Sequence, residues 1–352
     1  MESAGGARCS FEPQAAFEKD GMCFFGVDQR PFSIHGVFKE NGRYRRIPEA
    51  VAKTVSEGVY GLHANTAGGR IRFKTNSGRI AIIAKMLQIG KMPHFAFSGS
   101  CGFDLYSKEN GSVFYRGTFI PPVDIADGFE SVLQLPDDSL RDITINFPLY
   151  SGVSDLLVGI EKGAALEKAE SYKITKPLVF YGSSITQGGC ASRPGNSYQS
   201  ILSRVFDCDY INLGFSGCAK AEDEIADYIK SLEMSVFVFD YDHNAPNTEH
   251  LEKTHEKMFL KVREHNPKLP IILMSRPKYY LNSEEEKRLE IIKNTYHNAL
   301  ARGDGNVYLI DGRALMEIAK DDGTVDGCHP NDLGFFSIAG ALKKVLEKVL
   351  PR

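Results

Sequence analysis

Five short apolar runs alternate with helix-patterned stretches through the second half of the chain, and this rhythm constrains the fold more than any other feature. The runs are 178–181, 210–213, 236–240, 271–274 and 307–310. Helical patterns cover 197–206, 221–232, 248–266 and 283–302. Strand and helix in regular succession specify an α/β domain with a mainly parallel sheet. In open sheets of this kind, chemistry collects beyond the carboxyl ends of the strands. The residues directly after each apolar run are therefore the ones to read.

The first half has a different rhythm. Residues 70–75 alternate basic or polar with apolar side chains, Ser77-Gly78 turns the chain, and 79–84 follow as the expected partner strand. Further short runs stand at 103–106, 112–119, 130–135, 142–147 and 155–160, separated by Asn110-Gly111, Pro121-Pro122 and Pro136-Asp137. Many short strands at this spacing predict a β-sandwich of jelly-roll type. With 352 residues the chain exceeds one ordinary core. Two domains are expected, 1–170 and 171–352, with the boundary in the charged stretch 164–176.

Composition excludes several classes. A net charge of -3 without a long basic block gives no nucleic-acid footprint. No run is long and apolar enough to cross a bilayer. The start, with Glu2, Glu12 and Glu18, lacks the basic head and apolar centre of a secretory signal, so a cytoplasmic location is expected. The seven cysteines lack metal-ligand spacing and read as reduced thiols. Cys328 adjoins His329, but neighbouring residues usually point apart, whereas a nucleophile and its base must converge.

Four blocks follow the strands. Gly182-Ser183-Ser184-Ile185-Thr186 ends the first run and could deliver a hydroxyl, or simply cap a helix. Asn212-Leu213-Gly214-Phe215-Ser216-Gly217 ends the second, where Gly217 could offer an N–H to a ligand or merely turn the chain. Asn244, in Asp240-Tyr241-Asp242-His243-Asn244, could donate a side-chain N–H to an oxyanion or close an Asx-turn, with His243 a bystander. Asp326-Gly327-Cys328-His329 supplies an acid and a histidine three residues apart, either a base with its orienter or a loop salt bridge.

Each block alone is weak, but their order is specific. Ser, Gly, Asn and Asp-x-x-His in succession on one α/β unit resemble the SGNH hydrolases, also called GDSL-like esterases, over about the last half of the chain. The resemblance implies a three-layer α/β/α fold with Ser184 as nucleophile and Asp326 and His329 completing a triad. It further implies that Gly217 and Asn244 join the Ser184 N–H in an oxyanion hole. Two departures stand out: Ser183 replaces the family's aspartate before the nucleophile, and Asp242-His243 replaces the usual glycine before the asparagine. Gly102-Phe103-Asp104-Leu105-Tyr106 resembles the Gly-x-Asp-Leu-Tyr signature of a β domain preceding some SGNH hydrolases, and 190–198 resembles the same two-domain group. Such enzymes are similar to jelly-roll-plus-SGNH carbohydrate esterases and related acyltransferases. The β domain then either shapes a wall of the active site or serves only as packing partner or oligomer interface.

The expected activity is a serine esterase removing short acyl groups, with acetyl esters of carbohydrates as the leading substrates and no metal or organic cofactor. The loop 188–197 is small and polar with Arg193, unlike the apolar surface a long-chain lipase needs. Arg193 is the candidate substrate contact, with stapling of its own loop as the alternative. An acyltransferase on the same residues, a short-chain lipase or a thioesterase are the competing readings. The expected partner is a small-molecule or oligosaccharide ester, not nucleic acid or membrane, and a homo-oligomer is compatible with the sequence.

Overall fold

The computed structural model describes residues 13–351, so the acidic start from Glu2 to Glu12 and Cys9 lie outside the described residues. The first half builds two facing antiparallel sheets. One runs Phe17–Lys19, Met22–Gly26, Gly152–Glu161, Arg79–Gln88, Gly128–Gln134; the other runs Leu166–Glu167, Arg70–Thr75, Arg141–Asn146, Phe103–Glu109, Ser112–Phe119. Ile71, Phe73, Ile143 and Ile145 from the second sheet meet Ile80, Ile82 and Val158 from the first in one core. Period-2 alternation places these side chains on the inner faces.

The expected pairing of 70–75 with 79–84 does not form. Ile71 pairs with Ile145 and Ile34, whereas Ile82 pairs with Val158 and Ser131, so the turn at Ser77 crosses from one sheet to the other. The reason is burial: Ile71, Phe73, Ile80 and Ile82 must all reach the shared interior, which stacks the strands face to face.

The second half carries the parallel sheet, in the order Cys208–Gly214, Ile174–Gly182, Val236–Asp240, Ile271–Met274, Val307–Ile310. Residues of the second-listed strand alternate between two apolar layers. Val179 and Tyr181 join Ile225, Leu251, Phe259 and Ile292 on one face, where helices Asp223–Lys230, Thr248–His265 and Ser283–Ala301 pack. Leu178 and Phe180 join Leu202, Phe335 and Leu342 on the other, under helices Tyr198–Phe206 and Asp332–Val349. The result is the α/β/α three-layer arrangement preceded by a β-rich unit. The chain reverses direction of sheet growth at Ile174–Gly182, the first of these strands in sequence, which lies in the sheet between the second and the third. That switch point opens the crevice where ligands bind in such sheets.

The segment between the first strands and the sandwich carries structure that the period-based reading lacks. Helices Glu49–Val55 and Glu57–Leu62 send Ala52, Val55 and Val59 into the core of the parallel-sheet unit, beside Ile47 just ahead of them. Buried Arg46 spans the same junction, donating to Leu62 and Asn65 oxygens at 2.8 Å and to the Gly214 oxygen. No helix among the described residues is long and apolar enough to cross a membrane.

Candidate active site

The site begins where the strand Ile174–Gly182 stops. Gly182 lies so close to the next strand that a Cβ would stand 1.9 Å from the Asp240 oxygen. A Cβ on Gly214 would stand 2.1 Å from the Gln187 nitrogen, so both strand ends meet the turn as bare backbone. Ser183 is extended and its Oγ accepts from the Ile185 N–H at 3.1 Å, capping the short helix Ser184–Gln187. The capping role thus falls to Ser183. Ser184 opens the helix with its hydroxyl turned to the crevice, and Gly188 at φ 103 closes it.

Asp326 and His329 come from the loop ahead of helix Asp332–Val349. Asp326 uses both carboxylate oxygens. Oδ1 accepts from the His329 N–H at 2.7 Å and the Cys328 N–H at 3.0 Å, while Oδ2 accepts from His329 Nδ1 at 2.8 Å. Gly327 at φ 81 permits the tight loop this requires. Partial burial works to raise the Asp326 pKa, but the His329 backbone and ring and the Cys328 N–H outweigh it and hold it at about 2. His329 Nε2 then stands 3.0 Å from Ser184 Oγ. A carboxylate on Nδ1 fixes the proton there and leaves the Nε2 lone pair facing the hydroxyl. The structure therefore brings Ser184, His329 and Asp326 into one hydrogen-bonded line.

The other two blocks are laced to the serine turn. The Phe215 N–H donates to the Gly182 oxygen at 2.9 Å, and the Ser216 N–H to Gln187 Oε1 at 3.0 Å. Gly217 follows in the left-handed region at φ 69. Asn244 Nδ2 donates to the Phe215 oxygen at 2.8 Å, which spends one of its two amide hydrogens on that loop. Arg46 lies 4.6 Å over the Phe215 ring, a guanidinium from the first half bracing the second block. Burial lowers the Arg46 pKa to about 9. His243, expected to be a bystander, is lowered by burial to about 3 and so stays neutral near pH 7. Its Nδ1 lies 3.8 Å from Cys328 Sγ. Cys328 is thus directed to His243, and burial raises its thiol pKa, which does not suit a nucleophile.

Arg193 is turned to the β-rich half. Its guanidinium pairs with Asp104 at 3.2 Å, donates to Tyr106 Oη and lies 3.9 Å over the Tyr115 ring. Asp104 also accepts from the Gly195 N–H and from Asn146, each at 2.8 Å. The Asp and Tyr of the Gly102–Tyr106 motif therefore grip the 193–195 loop, which is the staple geometry rather than a free substrate contact.

Sequence reasoning missed three residues here. Tyr150 Oη donates to the Ser184 oxygen at 3.0 Å. The His94 ring lies 5.6 Å from that of His329. Cys190 joins His94 and His329 in a group whose ligand atoms fall within 4.8 Å of one another. His94 and Tyr150 belong to loops of the β-rich half, and no local pattern marks them; only the packing of the halves brings them to the serine.

Comparison with known proteins bears on the family and the fold. Residues 175–347 match the model of the GDSL-like lipase/acylhydrolase family, and residues 22–166 match that of the N-terminal domain of SGNH-hydrolase-type esterases. No curated protein matches the chain. Among solved structures, a protein from Bacteroides ovatus ATCC 8483 described as a GDSL-like lipase is 28% identical with a TM-score of 0.84, covering 93% of this chain and 98% of its own. The salicylyl-acyltransferase SsfX3 of a tetracycline biosynthetic pathway is 20% identical with a TM-score of 0.75, covering 95% and 99%. A family two carbohydrate esterase from Cellvibrio japonicus shares the fold at 10% identity and a TM-score of 0.61, covering 93% and 98%. The chain belongs to the GDSL-like lipase/acylhydrolase family of SGNH hydrolases, in its two-domain form with an N-terminal Gly-x-Asp-Leu-Tyr domain.

Proposed function

We propose that this protein is a serine esterase that removes short acyl groups, acetyl above all, from carbohydrate esters. The observation that carries the reading is the line Ser184 Oγ, His329 Nε2 at 3.0 Å, and His329 Nδ1 to Asp326 at 2.8 Å, set at the switch point of the sheet. His329 takes the Ser184 proton as Oγ attacks the ester carbonyl, and the ring becomes imidazolium against the Asp326 carboxylate. The tetrahedral oxyanion forms beside the N–H groups of Ser184 and Gly217 and the remaining amide hydrogen of Asn244. Neither backbone N–H donates to another group among the described residues, so both are available. The C–O bond to the leaving alcohol breaks as His329 returns the proton to it. Water then attacks the acyl carbon as His329 takes its proton, the bond to Ser184 Oγ breaks to release the acid, and His329 returns the proton to Oγ.

The carbohydrate assignment rests on the shared two-domain architecture with the family two carbohydrate esterase and on the small, polar loop 188–197. A second reading has an alcohol replace water in the last step. It is favoured by the likeness to the salicylyl-acyltransferase over 95% of the chain. Turnover of p-nitrophenyl esters of rising chain length beside acetylated oligosaccharides tests both readings. We expect acetyl esters to be preferred and acetate to be released in water. Preference for long chains removes the carbohydrate reading, and acyl products formed on an added alcohol in place of acetate favour transfer.

A further inference from the structure

A cavity of about 320 Å³ lies between the strands Arg70–Thr75 and Phe103–Glu109 and the helix Tyr198–Phe206, and none of the triad residues lines it. Its wall holds five cations, Arg70, Arg72, Lys108, Lys173 and Arg204, against two carboxylates, Glu170 and Asp207. Part of that charge is answered within the protein. Arg70 pairs with Asp209, and Lys108 pairs with Asp207 at 2.9 Å.

Arg72 and Arg204 are different. Neither forms an ion pair among the described residues. Arg72 is 4% exposed and its Nε is buried without a hydrogen-bond partner. Its guanidinium lies 4.0 Å over the Tyr172 ring, and that of Arg204 lies 4.2 Å over the Tyr106 ring. Stacking fixes the plane of each guanidinium while leaving its N–H edge free to donate. A buried charge without a counter-charge is costly, and proteins normally supply a carboxylate. Here Arg72 has no carboxylate within ion-pair distance, and the Asp104 carboxylate that lies near Arg204 is already paired with Arg193. The volume is at the small end of the range for small-molecule sites.

We propose that this cavity binds a small organic anion, whose carboxylate or phosphate supplies the missing counter-charge to Arg72 and Arg204. Tyr106, Tyr172, Thr144 and Asn146 line it together with serines and the apolar Val113 and Phe206, which suits a compact body with both hydroxyl and apolar faces. The proposal stands apart from the esterase reading, because it uses none of that site's residues.

Calorimetric titration of the full chain with inorganic phosphate, sodium glucuronate and glucose, in low-salt buffer, tests it. At least one of the two anions binds, and which one identifies the acidic group; glucose does not bind. R72Q and R204Q each weaken the anion by about tenfold or more, the loss expected for one charge-assisted contact. Arg204 is half-buried, so R204Q carries the test alone where R72Q fails to fold. Absence of binding by both anions, equal binding of glucose, or undiminished binding by a natively folded R204Q overturns the proposal.

Discussion

Tyr150 donates its phenolic hydrogen to the main-chain oxygen of Ser184 at 3.0 Å. A side chain of the β-rich half thereby holds the turn that presents the serine. The same oxygen accepts from the N–H groups of Gly188 at 3.1 Å and Gly189 at 2.8 Å, so the tyrosine adds a third tie. Tyr150→Phe removes that tie and leaves the carbonyl satisfied. It is expected to cost about 1 kcal/mol in urea unfolding and to lower kcat a few-fold with KM unchanged. An unaltered unfolding midpoint would show that the contact contributes nothing.

Asp326→Asn tests the orienting role of the carboxylate. An amide can hold the His329 ring in the wrong tautomer, and a fall in kcat of about 10⁴ is the scale for such a change. Stability gives a second readout. The folded carboxyl is held at about 2, below its ordinary 3.8, so its contribution is present above pH 4 and is lost as pH falls toward 2. With the Asp326 side chain 35% exposed, the contribution at neutral pH is discounted for solvent screening to about 1 kcal/mol. Denaturant unfolding of both proteins at pH 7 and pH 2.5 should show a difference that shrinks at the lower pH.

Asn244→Ala probes the oxyanion donors. Losing one such donor costs about 10²–10³ in kcat with little change in KM. Because Asn244 also donates to the Phe215 oxygen, part of the loss could come from a displaced loop. Asn244→Asp puts an acceptor-only carboxylate of the same size there, able to donate neither to the oxyanion nor to the Phe215 oxygen, so it should lose at least as much as Asn244→Ala. Native thermal midpoints in both variants assign the loss to the missing donor rather than to a displaced loop.

Arg193→Met leaves the Asp104 carboxylate buried without its cation. A loss of about 3 kcal/mol is expected, the scale for breaking a buried pair. Combining it with Asp104→Asn should recover part of that loss, since no charge is then left behind. A double variant as unstable as the sum of the singles would contradict the staple.

The legibility of this chain divides along physical lines. The parallel strands were readable because each is a short apolar run buried on both faces, as Leu178 to Tyr181 are. Three site blocks were readable because strand ends place their residues in order; the fourth, on the loop ahead of Asp332–Val349, was readable by its Asp-x-x-His spacing. The partner of Arg70–Thr75 was not, because an apolar alternation fixes which face is buried and not which edge is shared. Tyr150 and His94 were invisible for a related reason: each is an ordinary loop residue until the halves pack. The helix Asp332–Val349 also escaped, although Asn331 caps it through the Gly334 N–H.

The central claim is that Ser184 is the acylated residue. Treatment with a fluorophosphonate followed by peptide mass analysis tests it together with Ser184→Ala turnover on p-nitrophenyl acetate. The expected result is a single adduct on Ser184 and a loss of turnover of about 10³-fold or more in the variant. An adduct elsewhere, or full turnover by a natively folded Ser184→Ala protein, contradicts the claim.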